Sequence, residues 1–325
     1  MERRKPTLWK YLWVLVPVFI IVVMILALLL INSISTIKPS DMTTNPNSHE
    51  TPVPEKSFSV VSFNTWRLCD AQRVPKVVEA LSILGNDRHP DGGPDNLPDI
   101  VLFQEIECVE SLDKLEESLS ETHWFGSNIC ARDRSGELRS AVAIAVKRSR
   151  FEVVEEHSLD LGRIYPDHQR CANSVTVSPR DGPQLLHVVN VHHTPHPLGL
   201  LQTRRLVEEL RSIGLMEAEH VILGGDFNFT PSSSSYRLLT SFLRDPYPAD
   251  RGRTHWVTGR IDYLLTSEDV VLIQPLDRLV AYEAVKPAGL LETIFRYSDQ
   301  ESSQWPVSDH LPEGGLFAFR EDLPD

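Results

Sequence analysis

The sequence predicts an α/β domain of the α+β kind, two packed mixed β-sheets with helices, preceded by one transmembrane helix. Three observations carry that reading. Apolar runs of strand length alternate with helical patterns from residue 57 to 319, and four strand-like runs follow one another mid-chain with few helices between them. That succession fits two packed sheets and not a doubly wound parallel sheet. Residues 11–31 are apolar, aromatic or proline throughout, 21 residues without a charge or an amide. Polar residues able to bind metal recur just past the ends of the strand-like runs.

The apolar segment comes first. Twenty-one residues at helical rise span a hydrocarbon core. Trp9, Tyr11 and Trp13 sit where an aromatic belt would lie, and Arg3, Arg4, Lys5 and Lys10 precede the span. The positive-inside rule then leaves residues 1–10 in the cytoplasm and the remainder on the periplasmic or extracellular side. A cleaved signal peptide is the alternative, with Ser33 and Ser35 as a small-residue site. The run is longer than the roughly 7–15 residues of a usual signal core, which favours an uncleaved signal-anchor. Residues 32–56 are rich in Ser, Thr, Pro and Asn and read as a flexible linker.

The body, 57–325, is acidic. The chain has 325 residues, 45 acidic and 32 basic, for a formal charge of −13. Residues 1–38 hold five basic side chains against Glu2 alone, which leaves 27 basic and 44 acidic residues, or −17, in the rest. Such a body does not grip nucleic acid by bulk charge, since phosphate neutralisation needs a basic footprint. It leaves room for a nuclease that borrows divalent cations. Collagen-like, coiled-coil, low-complexity and disulfide-dense readings do not fit the composition.

Within the body, 57–63 and 100–104 read as strands around a helix at 75–84, and the Gly/Pro/Asp-rich stretch 85–98 reads as a surface loop. Residues 111–120 read as helix; 141–146, 151–155, 173–177 and 185–192 as strands. Residues 201–213 form an amphipathic helix with Leu206, Leu210 and Ile213 on one stripe. Later strands are expected at 221–223, 261–265 and 316–319. Cys69, Cys108, Cys130 and Cys171 lie in the body without a C-x-x-C spacing, so a zinc site is not indicated. Two disulfides with three possible pairings, or four reduced thiols, remain open.

Asn64, Glu105, His192, His193, Asp226 and Asn228 each stand at or just after a strand-like run; Asp262 interrupts one, and Asp309 and His310 precede the last. Singly, each has an ordinary structural reading as a turn former, an edge charge or a cap. Arg139 and Arg170 start strand-like runs, where surface charge and a phosphate clamp are both open.

Six segments, in order, resemble the endonuclease/exonuclease/phosphatase superfamily, the DNase I-like fold, over essentially the whole body. They are Ser62-Phe63-Asn64-Thr65-Trp66, Phe103-Gln104-Glu105-Ile106, Val189-Asn190-Val191-His192, Gly224-Gly225-Asp226-Phe227-Asn228, Arg260-Ile261-Asp262-Tyr263 and Ser308-Asp309-His310-Leu311-Pro312. Thr230-Pro231-Ser232 and the closing Ser-Asp-His-Leu-Pro are similar in flavour to the bacterial membrane-linked members.

The resemblance implies a four-layer sandwich, two mixed sheets flanked by helices. It also implies a hydrolase with Mg²⁺, or alternatively Mn²⁺, held by Glu105 with Asn64 and Asp309. His310 matches the histidine that activates or relays a proton from water, and Asp262 its orienting carboxylate. Asp226 would orient the nucleophile or protonate the leaving oxygen, Asn228 would donate to a phosphate oxygen, and His192 matches a second, phosphate-contacting histidine. His193 stands where the family usually has an apolar residue, so either of the two histidines could act, the other being solvated; His193 and Arg170 are candidate phosphate contacts. The sequon at Asn228 falls inside this motif and is discounted as a glycosylation site. Cys69 and Cys108 follow two of the motifs at one end of the sheet and are expected to pair.

The expected substrate is a phosphodiester, nucleic acid or phospholipid, with a nuclease preferred. A sphingomyelinase-like or phosphoinositide-directed hydrolase is the alternative, and a non-catalytic binding module the reading of another class. The membrane is met through residues 11–31, and no protein partner is predicted.

Overall fold

The structure is a computed structural model that describes residues 53–86, 96–132, 134–164, 169–195, 199–247, 252, 254–255, 258–285 and 307–323. The transmembrane segment expected at 11–31, most of the 32–56 linker and most of the 85–98 loop lie outside the described residues. Among the described residues no helix is long and apolar enough to cross a membrane.

The elements follow in chain order as β1 (Phe58–Leu68), α1 (Val74–Asn86), β2 (Ile100–Ile106), α2 (Val109–Leu119), β3 (His123–Arg132), β4 (Leu138–Lys147), β5 (Phe151–Arg163) and β6 (Gln169–Pro179). They continue as β7 (Leu186–His192), α3 (Gly199–Ser212), β8 (Val221–Asp226), α4 (Ser234–Leu239), β9 (Asp262–Thr266), β10 (Val270–Pro275), α5 (Arg278–Val285) and β11 (Glu313–Phe319). Every strand and helix expected between residues 57 and 319 is present. Four elements were not anticipated: β3, β10, α4 and α5. β3 and β10 are the two edges of the first sheet and bury their side chains only in part, so their apolar pattern is weak.

Two mixed sheets form, one in the order β10-β11-β1-β2-β4-β3 and one in the order β5-β6-β7-β8-β9. Only β1–β2 and β7–β8 pair in parallel. Three apolar clusters set the layers. Phe58, Val60, Ile100 and Leu102 of the first sheet meet Val175, Val188, Ile222 and Leu264 of the second. On the outer face of the first sheet, Val61, Phe63, Val101 and Phe103 pack on α1 and α2. On that of the second, Val189, Val191, Leu223 and Tyr263 pack on Leu206 and Leu210 of α3. Sheets covered on both faces explain why these strands read as unbroken apolar runs.

Strand alternation turns this layering into a rule for the site. Residues 58 and 60 of β1, 188 of β7, 222 of β8 and 264 of β9 point between the sheets. The same faces therefore carry Asn64, Asn190, His192, Asp226 and Asp262 to one end of the inter-sheet layer. Gly224 lies on this face too, and a Cβ there would stand 2.5 Å from Leu102 Cδ1 and 2.4 Å from Leu264 Cδ2.

One buried polar bridge crosses the layer. Asn190 Nδ2 donates to Phe103 O at 2.9 Å and Ala143 O at 2.8 Å, and its oxygen accepts from Gln104 Nε2 at 2.7 Å. The register of β2 against β4 shifts just beyond the Phe103–Ala143 pair, so the amide meets carbonyls where the ladder is interrupted. Replacing Asn190 by Leu strands those two carbonyls away from water and removes the shortest of the Gln104 amide's three contacts. We expect a loss of about 2–4 kcal/mol of stability, read from the urea-unfolding midpoint; a loss below about 1 kcal/mol would show the bridge to be incidental.

Candidate active site

Each functional side chain arrives by a different local device. Asn64 comes by plain alternation along β1. Glu105 does not: with Val101 and Phe103 facing the helices, alternation would send it the same way. Its φ of 61° and the register shift between Phe103 and Ile106 turn it back into the layer. A non-glycine residue in the left-handed region is unfavourable by about 1–3 kcal/mol and persists only where its surroundings hold it. Here Arg67 N donates to Glu105 Oε2 at 3.0 Å, and Asn64 Nδ2 donates to Oε1 at 3.2 Å.

Trp66 and Arg67, also left-handed with φ of 46° and 50°, bend the end of β1 so that the Arg67 amide points toward Glu105. The buried Arg73 guanidinium fastens that bend, donating to Thr65 O and Trp66 O at 3.0 Å each and to Val307 O at 3.1 Å. The disulfide Cys69–Cys108 closes the same end, as expected, and the other two cysteines pair as Cys130–Cys171.

From the second sheet, Asp226 ends β8 opposite Asp262, which begins β9. Gly225 precedes it at a φ of 136°, where a Cβ would fall 1.9 Å from Val191 O. Only glycine lets β8 approach β7 so closely. The Asp226 carboxylate accepts from Asn228 N at 2.9 Å, Asn228 Nδ2 at 3.1 Å and Asn64 Nδ2 at 3.0 Å. Asn228, itself at φ 52°, spends its other amide hydrogen on His193 O at 2.9 Å. It is placed to hold Asp226 and not, as expected, with a free N–H for phosphate.

His310 Nδ1 lies 2.9 Å from Asp262 Oδ2, and its Nε2 faces Asp226 and Asp309. Ser308 hydrogen-bonds Asn64 O at 2.6 Å and receives His310 N at 2.9 Å, which fixes this loop against β1. Thr254 Oγ1 takes the amides of Ile261 and Asp262, both at 3.0 Å. The His255 ring sits edge-on to His310 at 4.7 Å, with Nε2 3.6 Å from Asp309 Oδ2.

His192 Nε2 stands 3.6 Å from Asp226 Oδ2 and 3.7 Å from Glu105 Oε1, acidic neighbours that the sequence did not identify. Arg170 Nη1 lies 2.8 Å from its Nδ1. It also lies 3.2 Å from Nε2, so the guanidinium, which only donates, sits beside both ring nitrogens. Arg170 is buried against the His192 ring, so it is not the surface charge that the sequence left open. His193 points to the opposite face. It is wholly buried, with ring centroids 5.6 Å from Phe227 and 5.9 Å from Phe229. Neither ring nitrogen has a hydrogen-bond partner among the described residues, and burial lowers its pKa to about 3. It is therefore neither the solvated histidine nor the phosphate contact that the sequence allowed; it is part of the aromatic packing.

The electrostatics follow from burial. Asp226 is raised to about 8, first by burial and then by the charges of Asp262 and Glu105, against the pull of His310. Burial lowers His310, but Asp262, Asp226 and Asp309 more than offset it and raise the ring to about 10. Four carboxylates thus crowd around two imidazoles with a surplus of negative charge. Glu105, His192 and Asp226 present ligand atoms within 4.8 Å of one another, as do Asp226, Asp262 and His310, and also His255, Asp309 and His310. Asp309 Oδ1 is buried with no hydrogen-bond donor among the described residues. Hard oxygen donors, surplus negative charge and an unmet carboxylate oxygen fit a divalent cation. The Asn64 oxygen, expected beside Glu105 as a ligand, instead accepts from Trp66 N at 2.9 Å. Its N–H group faces the carboxylates, so ligation would require the amide to turn over.

The sequence model of the Endonuclease/Exonuclease/phosphatase family matches residues 61–310. No curated protein matches the chain by sequence. Among solved structures, the human Nocturnin catalytic domain with bound sulfate superposes with a TM-score of 0.61 at 18% identity, over 82% of this chain and 96% of that one. ANGEL2, a 2′,3′-cyclic phosphatase in complex with adenosine-2′,3′-vanadate, gives 0.56 at 16%, over 81% and 96%. D. rerio TDP2 with a single-strand DNA product gives 0.53 at 15%, over 81% and 99%.

A pH dependence follows from the two raised groups. Ionising Asp226 in the folded protein is unfavourable, so its destabilisation is absent below about pH 4 and complete above about pH 8. Protonated His310 stabilises fully below about pH 6.5, a contribution lost as pH rises through about 10. Both make the cation-free protein melt at lower temperature as pH rises from 5 to 9. Asp226→Asn removes the first contribution and weakens the second. Thermal melts in chelator at pH 5, 7 and 9 should fall less steeply for this variant, and parallel curves for the two proteins would overturn the assignment.

Proposed function

The chain belongs to the Endonuclease/Exonuclease/phosphatase family, and from that premise we propose that it is a Mg²⁺-dependent phosphodiesterase, nuclease-like, tethered on the non-cytoplasmic face of a membrane. One observation carries the reading: a buried centre in which Glu105, Asp226, Asp262, His192 and His310 meet from both sheets. Members of the family are hydrolases of phosphoester bonds. ANGEL2, a 2′,3′-cyclic phosphatase, and TDP2, solved with a single-strand DNA product, support a substrate of the nucleotide kind.

Glu105 Oε1 and the Asp309 carboxylate would hold the cation. Bound there, it would polarise a phosphate oxygen and, by its charge, oppose the proton on His310 so that this ring can take one from water. Asp262 fixes the His310 tautomer by holding Nδ1–H, leaving Nε2 for the reacting side. Asp226 keeps a proton through neutral pH and can pass it to the leaving oxygen. His192 presents Nε2 to the same carboxylates, with the Arg170 guanidinium beside its ring. Asn64 and Asn228 hold the carboxylates in place by N–H donation. Because five of these side chains are nearly inaccessible to water, each charge acts at low screening.

The tether is read from residues 11–31, and two disulfides in the body suit an oxidising compartment outside the cytoplasm.

Two outcomes are expected. His310→Ala and Glu105→Gln should each lower phosphodiester hydrolysis by about 10²–10⁴-fold while the far-ultraviolet dichroism is unchanged. The assay panel is plasmid DNA, RNA, sphingomyelin and phosphoinositides, each with Mg²⁺ and with chelator; undiminished hydrolysis by His310→Ala would refute the reading. The full chain should also stay in the membrane fraction after alkaline carbonate with an uncleaved mass. A shortened, soluble form would remove the anchor from the account.

A further inference from the structure

Beside the catalytic centre lies a cleft of about 450 Å³ whose lining is strongly basic. Arg132, Arg134, Arg139 and Arg163 border it, with Gln169 and Cys130, and among the described residues no carboxylate does. All four arginines are exposed. Glu137, in the first of the two hairpins that form the cleft, and Asp160, in the second, do not line it. Four guanidiniums converge here in a chain whose residues 39–325 carry a net −17. A local field of that sign is a property of the cleft and not of the molecule.

Topology ties the cleft to the centre. Arg132 ends β3 and Arg139 lies at the start of β4, the first hairpin; Arg163 ends β5 opposite Gln169 at the start of β6, the second. The hairpins belong to different sheets, and the Cys130–Cys171 disulfide fastens them together beneath the cleft. Along β4, Ala141 follows Arg139 by two residues and pairs with Ile106, the neighbour of Glu105. Along β6, Arg170 follows Gln169 directly and contacts His192. A substrate with one phosphate at the centre would therefore extend toward the arginines over one continuous rim.

We propose that this cleft binds further phosphates of a nucleic-acid strand whose scissile phosphodiester lies at the centre, so that the substrate is an extended strand and not a single-headgroup lipid. The proposal rests on the phosphodiesterase reading above and names its substrate class. Guanidinium is the side-chain group that matches phosphate oxygens in a planar, paired geometry. A phosphodiester headgroup such as that of sphingomyelin has no second phosphate to occupy four of them. The exposed large apolar side chains among the described residues, such as Ile129, Val154 and Leu201, belong to different elements, and none lines the cleft. A strand bound here would follow a charged groove with weak sequence preference and strong salt dependence.

The test uses the full chain in detergent and the variant Arg132→Gln/Arg134→Gln/Arg163→Gln, all exposed positions outside the centre. Binding of a fluorescent 12-nucleotide DNA and of a dinucleotide is measured by anisotropy in chelator, so that no turnover occurs. Hydrolysis of bis(p-nitrophenyl) phosphate is measured with Mg²⁺. The native chain should bind the 12-mer at least about tenfold more tightly than the dinucleotide, and the variant should lose most of that advantage. The slope of log affinity against log salt should shrink by about 2, at roughly 0.7 per lost contact to a single strand. Hydrolysis of the small diester should not change. Equal 12-mer affinity and slope in the two proteins would overturn the proposal. So would arginine-dependent binding to phosphoinositide vesicles without binding to the 12-mer. If the native chain leaves the small diester intact but binds the 12-mer through these arginines, the phosphodiesterase reading fails and the cleft stands.

Discussion

The site depends on a constraint that is not itself chemical: two sheets must meet in one register. Van der Waals packing between apolar faces is nearly indifferent to a sliding of one sheet over the other. The Asn190 amide is not, because both its hydrogens and its oxygen are taken by groups of the other sheet, Phe103 O, Ala143 O and Gln104 Nε2. Any slide would leave several buried polar groups unmet at once. Gln104 is next to Glu105, and Asn190 is two residues before His192. The bridge that sets the register therefore also brings the Glu105 carboxylate within 3.7 Å of His192.

The centre then stores what the fold would otherwise avoid. Asp226 and Asp262 sit opposite each other in neighbouring strands, nearly inaccessible to water, with Glu105 beside them. Like charges so placed repel, and the folded chain answers locally: His310 takes a proton, Asp226 keeps one, and Asn64 and Asn228 supply N–H donors. None of these fully neutralises the cluster, which makes it receptive to a cation. The strained backbone at Trp66, Arg67, Glu105 and Asn228 belongs to the same arrangement. Regular strands would point two of the three acids between the sheets and the third away; the left-handed turn at Glu105 brings it back, and Arg73 and the Cys69–Cys108 disulfide hold the strands that allow it.

How much of this was legible in the sequence depended on distance along the chain. The six segments that carry the site were readable because each places one polar residue at a fixed point of an apolar run. Alternation, a local property, then decides which face that residue takes. It correctly separates His192 from His193, though not what surrounds the second: the ring enters the aromatic cluster of Phe227 and Phe229, contacts made across 34 to 36 residues. Partners set by tertiary packing were not readable. Arg73 reaching Val307, Thr254 holding the Asp262 amide, His255 against His310, and Asp245 paired with Arg260 at 2.7 Å all lack a local pattern. Asn190 and Gln104 stood within quoted motifs, yet a buried amide looks like any other polar residue until the opposing carbonyls are known. The edge strands β3 and β10 escaped for a related reason, since a half-buried strand needs no clear apolar pattern.

The acidity of the body now divides into parts with different consequences. Some of it is the centre itself, where negative charge is screened from water and would be balanced by a cation. The remainder lies on the surface and sets a repulsive field for any polyanion. At physiological ionic strength that field decays over about 8 Å, so a substrate feels mainly the charges next to its path. Where the cleft lies, the described charges are the guanidiniums of Arg132, Arg134, Arg139 and Arg163. On the proposed reading, net charge constrains approach from most directions and this cleft is where a phosphate chain is attracted. An acidic protein and an acidic substrate are compatible when carboxylates gather at one point and cations at another. Two hairpins from different sheets, tied by Cys130–Cys171, keep those demands apart in space.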